Sequence, residues 1–125
     1  MGNNSLLSCL EKRDLLNQPA VSVDTLMQWG DRFLEAGFVY DAVNFYEKAG
    51  AREALTRLLE MARNDGDAFL LRHLCALLGR EPNAEEWVAV AEQAERLGKD
   101  YFAWKGYLGA GDQDRSDAVR ERIPK

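Results

Sequence analysis

One histidine and two cysteines are the side chains of this chain best suited to nucleophilic or metal chemistry. A Cys-His dyad needs the imidazole within hydrogen-bond reach of the thiol, so that the base can activate it. His73 and Cys75 stand two residues apart in "HLCALLG", and on a helix residues two apart point to different sides. Cys9 reaches His73 only through tertiary folding. Cys75, inside an apolar run, is expected to be a small buried hydrophobe, and His73 a surface or half-buried side chain. No pair of ligand-type residues has zinc spacing, and the glycines follow helical patterns instead of opening them as a phosphate-cradling loop does. Glu85 and Glu86 fall early in a helical pattern, where negative charge complements the dipole. The sequence therefore predicts no catalytic site, no metal and no cofactor, and the chain is read as a non-enzyme.

If function is not chemistry, it must lie on a surface, and composition limits which surface. The 125 residues are 46% hydrophobic, enough for one domain with a real core. A formal charge of −5 argues against a chain whose main work is neutralising phosphates, so neither nucleic acid nor an anionic membrane is expected as partner. Charged partners are expected to be basic. Two cysteines are too few for a disulfide framework, and no apolar stretch approaches the roughly 20 residues that span a bilayer. The N-terminus lacks the apolar core and cleavage site of a signal peptide, which predicts a cytoplasmic protein. "MGNNSL" begins like a myristoylation signal, but Leu6 stands where Ser or Thr is required.

Aligned on Gly37, Gly66 and Gly98, in "EAGFVYDAV", "NDGDAFLLR" and "RLGKDYFAW", the chain shows an internal periodicity of 29 and 32 residues. An aromatic follows each glycine by three residues: Tyr40, Phe69 and Tyr101. A second glycine column, Gly50, Gly79 and Gly111, closes each segment. Before the first glycine, Leu26, Trp29, Gly30 and Phe33 recur at helical steps, as do Leu55, Leu58, Leu59 and Ala62, then Trp87, Val90, Ala91 and Ala94. After it, Ala42, Phe45, Tyr46 and Ala49 line a second helix, matched by Ala103, Tyr107 and Ala110. Each unit is thus expected to be a helical hairpin, with both glycine columns marking helix ends. The small residues are placed where helices must approach closely, and the aromatics fill the space between hairpins.

The order Gly30, Phe33, Gly37, Ala42, Tyr46, Ala49, repeated as Ala91, Ala94, Gly98, Ala103, Tyr107, Ala110, resembles the tetratricopeptide repeat. The resemblance covers about residues 22 to 111 and implies an all-α fold: stacked antiparallel hairpins in a right-handed solenoid with capping helices at both ends. The domains expected are an N-terminal capping helix or arm over 1–20, three hairpins over 21–112 and a polar C-terminal capping helix over 113–125. Residues 5 to 17 are predicted to form the first of these caps, with Leu6, Leu7, Cys9, Leu10 and Leu16 offered to the first hairpin; a detachable arm is the other reading. Asp114 or Ser116 is the expected N-cap of the last helix.

In the family resembled, the first helix of each hairpin lines a concave face on which peptides or helices lie. That implies an inward acidic column of Asp31, Glu60 and Glu92, accompanied by Met27, Leu34 and Val88. A second acidic column, Asp24, Glu53 and Glu85, is explained equally by dipole complementarity. Arg57 is expected to pair with Glu53 or Glu60, and Arg96 with Glu92. The family's carboxylate-binding arrangement uses Lys and Asn where this chain has Met27, Asp31 and Glu85, so the resemblance does not imply capture of a C-terminal carboxylate. An adaptor or chaperone-like module is therefore expected, holding a basic or amphipathic protein segment on Met27, Asp31, Leu34, Glu60, Val88 and Glu92. The alternative is a structural self-assembly unit, a homodimer formed through the N-terminal segment or the end hairpin.

Overall fold

A computed structural model describes residues 6–124 and shows eight helices and no strand among them. The helices are α1 (Cys9–Asn17), α2 (Val23–Glu35), α3 (Val39–Ala49), α4 (Arg52–Asn64), α5 (Ala68–Leu77), α6 (Ala84–Arg96), α7 (Asp100–Ala110) and α8 (Gln113–Arg122). The apparent myristoylation motif, Leu6 aside, lies outside the described residues. No helix among those described is long and apolar enough to cross a membrane. The chain divides into two compact units, Met1–Leu55 and Thr56–Lys125.

One turn recurs throughout. Gly37, Gly66 and Gly98 each sit at positive φ in a three-residue turn, and Gly50, Gly79 and Gly111 share that conformation at the ends of α3, the α5 segment and α7. In each first turn the amide two residues beyond the cap bonds back across six residues: Phe38 to Phe33, Asp67 to Ala62 and Lys99 to Ala94, at 2.9, 3.0 and 2.8 Å. The second turns do likewise, from Ala51 to Tyr46, Arg80 to Cys75 and Asp112 to Tyr107. This pattern satisfies the last helical carbonyls with a left-handed residue, which is why both columns hold glycine. The helical-hairpin expectation is met at its ends.

In the first unit α2 and α3 form one hairpin. Leu26, Gly30 and Phe33 of α2 are buried, as are Ala42, Val43, Phe45 and Tyr46 of α3. Phe33 stacks on Phe45 at 5.5 Å between centroids, and Phe38 in the turn meets Phe33 edge-on at 6.5 Å. Burying a side chain such as Phe45 contributes about 2–3 kcal/mol. Gly30 is small because Tyr46 lies against it: a Cβ there would stand 2.6 Å from the tyrosine Cε1.

The N-terminal helix departs from expectation. It begins at Cys9, not at residue 5, because Ser8 caps it: the serine hydroxyl accepts from the Glu11 amide while the Glu11 carboxylate accepts from the Ser8 amide. α1 buries no residue, and Leu10 is 62% exposed. Its tie to α3 is the Lys12–Asp41 ion pair at 2.7 Å, over a hollow of about 300 Å³ that Cys9, Arg13, Leu16 and Asn17 also line.

In the second unit α6 packs on α7 and α7 on α8. Ala91, Ala94, Ala103, Tyr107 and Val119 form a core against which Phe102 and Trp104 pack. Alanines let the helix axes approach closely, and Gly106 seats directly on Ala91, where an added Cβ would lie 2.7 Å from the alanine Cβ. α5 buries Ala68, Leu70, Leu71, Leu74 and Cys75. Desolvation pushes the Cys75 thiol above its ordinary pKa, so it behaves as the buried hydrophobe expected, while His73 is exposed.

The cap of α8 is also a correction: Asp112, not Asp114 or Ser116, accepts from the Arg115 amide at 3.1 Å. Ser116 is fully buried one turn later, and its hydroxyl has no hydrogen-bond partner among the described residues. Replacing such a group with a non-polar one removes a desolvation cost of about 1–3 kcal/mol. Ser116→Ala is therefore expected to raise the urea midpoint of unfolding, by about 1 kcal/mol of stability. A lowered midpoint would show that the hydroxyl is bonded.

Candidate functional site

The six residues expected on the recognition face fall into two groups, one in each unit. Met27, Asp31 and Leu34 lie on α2 at helical spacing, with both apolar side chains half-buried and Asp31 exposed. The Asp31 carboxylate accepts a hydrogen bond of 2.6 Å from the hydroxyl of Tyr46, whose ring is otherwise buried against α2. Asp31 therefore serves first as the polar end of a core tyrosine.

In the second unit Glu60 lies on α4, and Val88 and Glu92 on α6. The expected ion pairs do not form as drawn. Glu60 pairs with Arg63 instead of Arg57, and Glu92 pairs with Arg115 of α8 at 3.2 Å instead of Arg96. The Arg96 Nε donates to Gln93. Arg115 is held in turn by Asp112 at 2.6 Å, and its guanidinium lies 4.8 Å from the centre of the Tyr107 ring. Salt bridges from α8 thus reach over the polar edge of α6, a tie between elements that helical spacing alone does not reveal.

What α6 still offers is an apolar strip with an acidic margin. Val88, Ala84 and Ala89 line an open hollow of about 310 Å³, with Glu85 and Glu92 on its rim. The first turn of α6 is fixed by a second capping box, in which Asn83 accepts from the Glu86 amide and Glu86 accepts from the Asn83 amide. Glu86 also takes a two-pronged bond from Arg80, at 2.7 and 2.9 Å, which holds its carboxyl below the usual range. Glu85 has no ion-pair partner among the described residues. On the neighbouring side of α6, Arg63, Asn64, Glu92, Gln93 and Arg96 surround a more polar hollow. There Gln93 Nε2 donates to the Asn64 carbonyl at 2.8 Å, and Lys99 Nζ to the Asp65 carbonyl at 2.7 Å. Val88 and Glu92 are thus brought onto one surface, and Glu60 joins it only through Arg63.

The loop aromatics meet the expectation only in part. Tyr46 and Tyr107 do fill the interior, but Tyr40, Phe69 and Tyr101 are 47%, 43% and 48% exposed. Phe69 meets Tyr101 at 5.9 Å and Phe102 at 5.2 Å, and Tyr101 meets Trp104 edge-on at 5.5 Å. Their signal was the aromatic column itself: each is the second residue of its helix, where the ring stands on the outer side and is only partly covered. Among the described residues no three His, Cys, Asp or Glu side chains gather as a metal site would require. No family model, curated protein or solved structure matches the chain.

Proposed function

We propose that the chain is a non-enzymatic protein-interaction module, adaptor or chaperone-like, that takes a basic or amphipathic protein segment against the first helices of its hairpins. The observation that carries this reading is the α6 strip, where Val88 and two alanines form an apolar floor and Glu85 stands unpaired at its margin. An amphipathic helix placing an aliphatic side chain on Val88 and a Lys beside Glu85 matches both features. Met27, Asp31 and Leu34 of α2 supply the same combination of types in the first unit. The paired helix lengths fit tetratricopeptide-like hairpins: α2, α4 and α6 are each 13 residues long, and α3, α5 and α7 are 11, 10 and 11.

The test is direct binding of a labelled amphipathic peptide of Lys and Leu to the wild-type chain and to a Glu85→Lys, Val88→Asp variant. Neither side chain is buried, so the variant should keep its helical circular dichroism. At least tenfold weaker binding by the variant is expected, equivalent to about 1.4 kcal/mol. Equal binding would sink the reading. Self-assembly is favoured by one observation only, the 62% exposure of Leu10 on a helix that buries nothing. A solution mass that stays monomeric with rising concentration would remove it.

A further inference from the structure

Most of the α8 arginines are spoken for: Arg115 binds Glu92 and Asp112, and Arg122 binds Glu95 and Asp100. Lys105 and Arg120 differ. Neither has a carboxylate partner among the described residues, and both lie over aromatic rings. Lys105 Nζ is 5.0 Å from the centre of Trp104 and 5.9 Å from that of Tyr101, and the Arg120 guanidinium is 5.3 Å from Trp104. A cation–π contact at an exposed site is worth about 0.5–1 kcal/mol and leaves the charge itself uncompensated. In a chain of net charge −5, these two cations without a carboxylate partner stand beside a row of rings.

The rings define its shape. Phe102, Phe69, Tyr101 and Trp104 run in sequence across α5 and α7, with Phe102 and Trp104 half-buried and anchored on the core while Phe69 and Tyr101 stand out. An aromatic side chain presents about 150–250 Å² in all, so the two outer rings leave on the order of 100 Å² each in water. A standard globular interface needs about 800 Å² per partner, which this edge does not supply. A short segment fits; the face of a second folded copy does not.

We propose that this edge docks a short acidic segment of another protein, seating an apolar or aromatic side chain on the Phe69–Tyr101 step and carboxylates on Lys105 and Arg120. The rings give the segment its anchor, and the cations select its charge. This surface lies on the second helices and α8, separate from the α6 strip, and it does not depend on the function proposed above. Single-stranded nucleic acid also combines stacking bases with negative charge. The acidic chain disfavours it, since phosphate binding draws on broad positive potential that two cations do not provide.

The experiment uses a labelled peptide of Glu and Asp flanking a Trp-Leu pair, its counterpart with every acid replaced by Gln, and a labelled oligothymidylate of similar length. The acidic peptide should bind wild-type protein at least tenfold more tightly than the Gln peptide. Lys105→Gln with Arg120→Gln should remove that preference, and Tyr101→Ser with Phe69→Ser should weaken binding of the acidic peptide by at least tenfold. These positions are surface or half-buried, and helical circular dichroism checks that each variant folds. Raised salt should weaken the acidic peptide more than its Gln counterpart. Equal affinity for the two peptides, no binding of the acidic peptide at millimolar concentration, or tighter binding of the oligothymidylate would overturn the proposal. So would a wild-type dimer in solution that Tyr101→Ser abolishes, because a second copy would then cover the edge.

Discussion

Gly66→Ala should destabilise the protein by about 3 kcal/mol or more, whereas Gly98→Ala, at the corresponding turn of the next hairpin, should cost only about 1 kcal/mol. Both glycines sit at positive φ, +63° and +74°, and both close the same six-residue hydrogen-bonded turn. The left-handed conformation penalises any Cβ by about 1–2 kcal/mol, so that part of the cost is common to the two. Space separates them. An added Cβ at Gly98 meets nothing within 4 Å, but at Gly66 it would lie 2.7 Å from the Cα and 2.8 Å from the amide nitrogen of Ala94. Those are backbone atoms of α6, which cannot swing aside as a side chain does. Urea unfolding of the two variants measures the difference. Adding Ala94→Gly to Gly66→Ala should not restore stability, because the overlap with the α6 backbone remains; full rescue would show that only the alanine methyl was in the way.

That contrast marks where the sequence was legible. The glycine columns could be read because a left-handed helix end excludes nearly every other residue, and the apolar stripes because a helix repeats its buried face every three to four residues. Leu26, Phe33, Ala42, Tyr46, Ala91, Ala103 and Tyr107 are all buried as their spacing requires. The close seat of Gly66 on α6, and of Gly106 on Ala91, depends on which helices meet, and no local pattern carries that.

The start of α1 failed for a different reason. The capping box is present in "SCLE", from Ser8 to Glu11, but the apolar pair Leu6 and Leu7 before it extends the helical pattern, so periodicity alone points to an earlier start. At α8 three candidate caps lie within five residues. Gly111 decides among them, since its left-handed conformation makes Asp112 the first residue able to turn into the helix.

For the candidate site, the residue types on α6 could be read and their partners could not. Arg96 is one turn from Glu92 on the same helix, yet Arg115, 23 residues away, takes the carboxylate, because α8 packs against α7 and reaches back. Nearest-neighbour spacing predicts contacts within an element and is silent between elements. The exposed aromatic edge was hidden by the same limit. Its residues form a clear column, but whether a ring at the head of a helix is covered depends on what lies across from it.

Tyr107→Ala is expected to cost about 3–5 kcal/mol, the range for emptying a fully buried aromatic site. Tyr107 is 1% exposed and sits among Ala91, Ala94, Ala103 and Val119, small residues that cannot collapse far into the space it leaves. Tyr107→Phe should cost about 1–2 kcal/mol, because it keeps the ring beneath the Arg115 guanidinium and removes only the hydroxyl. That hydroxyl donates to the Glu95 carboxylate, which Arg122 also engages at 2.8 Å. The two bonds hold the Glu95 carboxyl below its ordinary pKa of 4.5, while burial and the bond to Glu95 push the phenol up from 10 to about 12. The consequences for stability have opposite signs. A depressed carboxyl contributes stability that is complete above 4.5 and is lost as the pH falls through its folded value. A raised phenol contributes stability that is complete below 10 and is lost as the pH rises toward 12, where the unfolded chain ionises first. Urea midpoints followed across pH should therefore fall on both sides in the wild type. In Tyr107→Phe the decline from this tyrosine above pH 10 should vanish, and the acid decline should become shallower without disappearing, since Arg122 still holds Glu95. An alkaline decline of the same size in both proteins would place the titrating group elsewhere.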